Sequence, residues 1–127
     1  GAGDVKRRAE RGDGVSVEAD VFAALTGNAG VAALVGTRVY PQQLPDDVTF
    51  PAIAYRNIDS VPVGGLCEVA RIQLDVYGVT YSSVKAVRDA LRACCNTQRN
   101  WIWYSGPDIW QEGQSLYHQS MDVRVFE

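Results

Sequence analysis

The run Tyr81 to Cys95 has helical periodicity and lies between two stretches that alternate with a period of two, a juxtaposition that constrains this chain more than any other feature. Val84, Val87, Leu91 and Cys94 recur at i, i+3 and i+7 along one helical face, and Lys85, Arg88, Asp89 and Arg92 fall on the opposite one. Thr80 offers a hydroxyl to cap the start, and Asn96 is expected to end the helix in the left-handed conformation. At ~1.5 Å per residue the helix is about 22 Å long, enough to lie across several strands. Upstream, Ala70, Ile72, Leu74 and Val76 alternate with Arg71, Gln73, Asp75 and Tyr77. Downstream, Tyr117, Met121, Val123 and Val125 alternate with His118, Ser120, Asp122 and Arg124. The expected fold is therefore α+β, a mainly antiparallel sheet covered by a long amphipathic helix and smaller N-terminal helices.

Those N-terminal helices come from Val17 to Leu25, with Ser16 as the expected N-cap and Val17, Val21, Ala24 and Leu25 as the apolar face, and from a shorter turn at Val31 to Val35. Gly1 to Gly14 holds four basic groups, three acidic ones and four glycines, and reads as a flexible arm ahead of a single domain over 15–127. Lys6-Arg7-Arg8 and Arg11-Gly12-Asp13 in that arm are short matches flanked by opposite charge and carry no function by themselves. Arg38 to Pro51, with three prolines, reads as an extended loop with a short strand at Val39 and Tyr40. Ala52 to Asp59 reads as a strand, and Ser60 to Leu66 as a hairpin connection before Ala70 to Tyr77.

That connection is unusual in being apolar at Val61, Val63 and Leu66, which either meet a partner or fold back over the sheet. The three tryptophans, Trp101, Trp103 and Trp110, fall within ten residues. Trp101 and Trp103 share a strand face, and at least one indole is expected in the core, the others at an interface.

Composition narrows the function classes. The 127 residues carry 12 basic and 15 acidic side chains, a net charge of −3. Outside the arm eight basic groups face twelve acidic ones, a balance of −4 that argues against tight nucleic-acid binding. No apolar run approaches the ~20 residues of a membrane span, and nothing at the start reads as a signal peptide. Cys67, Cys94 and Cys95 are an odd set with two adjacent members, which favours reduced thiols and assembly in a cytosol, with Cys94 filling core space. Catalysis is not expected. His118 lies at the polar parity of its strand with no nucleophile beside it in sequence. The cysteines lack zinc spacing, and the glycine pairs Gly27/Gly30 and Gly64/Gly65 do not form a phosphate loop. No cofactor or metal is expected.

The order Ser16 to Pro41, Leu44-Pro45, Phe50 to Ile58, Ala70 to Gly78, the helix from Tyr81, and Leu116 to Phe126 resembles the tail-terminator, or tail-completion, proteins of long-tailed bacteriophages and prophages. The resemblance implies a structural virion protein, assembled in the host cytoplasm, that forms a hexameric ring on the finished tail tube. Such a ring ends tube growth and offers a surface to the neck, or head-completion, proteins, while DNA passes through its lumen. Candidates for the ring interface are Val61, Val63, Leu66, Trp101, Trp103 and Trp110, together with the proline-rich loop. An acidic lumen would keep DNA from sticking, and Asp46, Asp47, Asp59 and Glu68 are candidates to line it. Two alternatives stand beside this one: a neck adaptor or minor tail subunit, and a small ligand-binding domain or enzyme.

Overall fold

The computed structural model describes residues 15–63, 67–104, 108–112 and 115–126. The arm over 1–14 and the hairpin tip at 64–66 lie outside them. Among the described residues, three helices, α1 (Val15–Gly27), α2 (Ala29–Val35) and α3 (Tyr81–Asn96), accompany six strands: β1 (Val39–Pro41), β2 (Ala52–Val63), β3 (Cys67–Gly78), β4 (Trp101–Tyr104), β5 (Trp110–Glu112) and β6 (Leu116–Phe126). The fold is α+β as expected, with strand order β1-β2-β3-β6-β4 and β5 also pairing with β6. Every pairing is antiparallel except β1 with β2.

The alternating runs do what their period requires. Ala70, Ile72, Leu74 and Val76 of β3 stand opposite Val125, Val123, Met121 and Gln119 of β6, all buried under the helices. From above, α3 adds Val84, Val87, Leu91 and Cys94, and also Cys95, one position past the expected stripe. α1 adds Val17, Val21 and Leu25 at i, i+4 and i+8, with Ala24 packed beside them, and α2 adds Val31 and Val35. One continuous core results, between a three-helix layer and one face of the sheet.

Caps decide where the helices stop. The Ser83 amide donates to Thr80 Oγ1 at 3.1 Å, the cap expected from the hydroxyl ahead of the run. At the other end the expectation fails, because Asn96 is still helical and Thr97, in the ordinary right-handed conformation, takes over. Its amide and its hydroxyl both donate to the Cys94 carbonyl, the latter at 2.6 Å, so no left-handed residue is needed. Ser16 is likewise inside α1, which already runs from Val15, and is not its cap. Asn28 caps α2 by accepting from the Val31 amide, which starts that helix at Ala29 rather than Val31. The turn from β3 into α3 is tight: a Cβ on Gly78 would lie 2.6 Å from Ser83 Oγ and 2.9 Å from Val84 Cγ2.

One connection differs from the sequence reading, and the proline-rich loop follows it. β2 continues to Val63 where a hairpin connection was expected from Ser60. It does so by a bulge at Ile58 between Asn57 and Asp59, and Pro62 is tolerated because β1 covers β2 only at Ile53–Tyr55. The proline-rich loop is held by Arg38, whose guanidinium donates to the Pro51 carbonyl at 3.0 Å and to the Leu34 carbonyl at 3.2 Å, tying α2 to the start of β2.

Candidate assembly surfaces

The face of the sheet away from the helices carries the alternate parity, and among the described residues no helix covers it, although part of it is buried. At its centre, Asp75 of β3 and His118 of β6 are both buried, with His118 Nε2 3.0 Å from Asp75 Oδ1. Gln73 Nε2 donates to both Asp75 oxygens, at 3.2 and 3.0 Å. Burial pushes the Asp75 pKa up, but hydrogen bonds from His118, Gln73 and Ser120 and the nearby His118 charge outweigh it, leaving the carboxyl below its ordinary value. The imidazole is stacked on Tyr77, centroids 4.1 Å apart, and meets Trp110 of β5 at 4.3 Å. This is a filled and bonded cluster, not a base facing a substrate. Cys67 is ten residues along β3 from Tyr77, the cross-strand partner of His118, roughly 30 Å at the rise of a strand. The thiols of Cys94 and Cys95 are both raised in pKa by burial, Cys95 to about 12 with Cys94 adding to it, so they stay protonated and unreactive near neutral pH. Among the described residues no group of three or more His, Cys, Asp or Glu side chains could hold a metal ion.

The tryptophans divide by strand parity. Trp101 is 9% exposed and belongs to the core, and Trp103 on the same face of β4 packs against it, so Trp101 is not a surface residue of the isolated chain. Trp110 sits on the other face, half-buried over His118. What β4 presents outward is Ile102 and Tyr104, 45% and 46% exposed, with the Arg124 guanidinium 4.8 Å from the Tyr104 ring. Sequence reasoning missed both. The alternation sets them on the face opposite Trp101 and Trp103, but which pair turns inward follows only from the pairing of β4 with β6.

Val61, expected at an apolar tip, is 49% exposed on β2, while the side chains of Val63 and Leu66 lie outside the described residues. With Asp59, Val69, Arg71 and Arg124, Val61 lines a shallow recess of about 280 Å³ on the face away from the helices. The four candidate lumen acids are all exposed but are not brought together. Asp59 and Glu68 lie on the far part of the β2–β3 hairpin, whereas Asp46 and Asp47 are in the loop that leads into Ala52 at the near end of β2.

Among the described residues, the sheet has one helix-covered face and two edge stretches without a strand partner, β2 beyond Tyr55 and β4, while His118 and the thiols of Cys94 and Cys95 are locked in packing. Comparison with known proteins places it. The sequence profile described as tail completion protein gp17 matches residues 19–126, and the chain belongs to that family. It is thus a structural component of a phage-type tail, located in the virion, and the family is not one of enzymes. No curated protein matches the sequence. Among solved structures, a chain of the virion of a native gene transfer agent particle has a similar fold, with a TM-score of 0.56 and 19% identity over 84% of this chain and 90% of that one.

Proposed function

We propose that this chain closes into a ring, six copies in number as the family likeness implies, on the end of the tail tube. There it stops tube growth and joins the tube to a head-completion or neck protein, with DNA passing through the centre. The observation that carries this reading is the sheet itself, which among the described residues leaves two unlike edges without a strand partner, β2 beyond Tyr55 at one end of the strand order and β4 at the other, the arrangement that a head-to-tail ring uses. The exposed Val61 extends the surface available to neighbours, as do the half-buried Trp103 and Trp110, and Val63 and Leu66 remain candidates for the same contact by their sequence alone. Asp46, Asp47, Asp59 and Glu68 supply the negative charge of the channel, weakening contact with DNA phosphates.

Light scattering and negative-stain images of the purified protein, alone and mixed with tail tubes, test the reading. Rings of one size in either condition support it. Monomers in both reject it.

A further inference from the structure

The register places the two uncovered edges at the same height. Reading across the sheet, Trp101 of β4 is level with Val125, Ala70 and Ser60, and Ile102 with Arg124, Arg71 and Asp59. Trp103 is level with Val123, Ile72 and Asn57, and Tyr104 with Asp122, Gln73 and Arg56. The stretch of β2 that β1 leaves bare, beyond Tyr55, therefore lies straight across from β4. Direction also fits, because β4 runs antiparallel to β6, β6 to β3 and β3 to β2, so a copy set beside the first in the same orientation brings β2 antiparallel to β4.

We propose that copies of this chain associate by antiparallel pairing of β4 in one copy with the Arg56–Ser60 edge of β2 in the next, so that one sheet runs through the assembly. The proposal rests on the ring reading and specifies its contact. The parities agree: Ile102 and Tyr104 share the face away from the helices with Asp59 and Arg56, and the two indoles share the helix side with Asn57 and Ser60.

Charge agrees as well. Arg71 and Arg124 stand directly opposite each other; Arg71 is held by Asp122 at 3.0 Å and faces Asp59 of its own copy, whereas among the described residues Arg124, Arg56 and Asp59 form no ion pair. In the joined sheet, Asp59 of the next copy lies one strand beyond Ile102, two strand spacings or about 10 Å from the Arg124 backbone, so that Arg124 has an acidic position on both sides. Arg56 of the next copy lies beside the exposed ring of Tyr104, a second cation for a face that already draws one.

The bulge at Ile58 falls inside this stretch, so β4 pairs with Arg56 and Asn57 on one side of it and with Asp59 and Ser60 on the other, and Ile58 stays unpaired. Four strands per copy, β2, β3, β6 and β4, at ~4.8 Å spacing make a six-copy ring about 115 Å around and about 37 Å across between backbones, before strand tilt widens it.

Cysteine pairs across the predicted seam test this in the full chain with Cys67→Ser as background. Asp59→Cys with Ile102→Cys is one pair, and Arg56→Cys with Tyr104→Cys the other. Within one copy each pair is separated by three strand spacings, about 14 Å, too far for a disulfide. Mild oxidation, with tail tubes present if rings need them, is expected to give a ladder of covalent multimers that reducing agent collapses, with peptide mapping joining 59 to 102 or 56 to 104. Rings that form without either link overturn the edge pairing and leave the ring reading standing. Links of 59 to 59 or 102 to 102, seen also in the single variants, overturn it in favour of a two-fold contact. No oligomer with or without tubes removes the ring reading and this inference together.

Discussion

The two faces of one sheet behave as if they belonged to different proteins. On the helix side the positions are aliphatic and fully buried: Ile53, Ile72, Leu74 and Met121 meet Leu91, Val84 and Val87 with almost no accessible surface. On the other side a buried carboxylate and imidazole sit among aromatic rings, edged by arginines, exposed aliphatics and a shallow recess. The first face is held by area removed from water, which is large and indifferent to pH. The second is held by directional contacts, each smaller and each dependent on its partner. Stability is thus concentrated on the helix side, and the polar and exposed aromatic groups on the other.

The contrast can be broken most sharply from the core side. Leu91→Ala leaves a void between α3 and the sheet and is expected to cost about 3–4 kcal/mol, measured as a lower urea midpoint with unchanged slope. A cost under ~1 kcal/mol would mean that the helix layer is not what holds the sheet.

A smaller loss, about 2 kcal/mol, is expected for Asp75→Asn, which keeps the shape but removes the charge that His118 and Gln73 bond. Because the Asp75 pKa is depressed on folding, the stability it contributes is complete above the ordinary carboxylate range and is lost as pH falls through its folded value. The two proteins should therefore differ at neutral pH and converge in acid, below pH ~4. A constant gap across that range would show that packing, not ionisation, is what Asp75 supplies.

Smallest is Tyr104→Ala, which removes an exposed ring under Arg124 and is expected to cost about 0.5–1 kcal/mol in the monomer while weakening assembly much more. Equal effects on folding and on ring formation would erase the division of labour between the faces.

How much of this could be read from the chain differs by element. The long helix, its Thr80 cap and the β3 and β6 runs were legible because each is a local periodicity, sustained over enough residues to admit one interpretation. β2 beyond Asp59 was not, since Pro62 and the glycines after it mark a turn unless a bare edge and a bulge make room for them. The Asn96 terminus was missed because Thr97 could satisfy the last carbonyls in a way that residue preference alone does not rank. At the candidate surfaces, the sequence left Val61 open between a partner surface and a fold back over the sheet, and only the structure shows it exposed. The Asp75–His118 cluster was not, because its members are 43 positions apart and meet only through the β3–β6 register.

What the chain determined by itself is the list of elements and the alternation within each strand, since both follow from bonds between near neighbours and from the wish of apolar side chains to share a side. Which side that is, which strands stand together, and that Trp101 goes inward while Ile102 and Tyr104 look out were decided only on folding. Pairing order and register join residues far apart along the chain, and a shift of one position would exchange the two faces of a strand. The heights of the two bare edges follow from the same register, through four strands in succession.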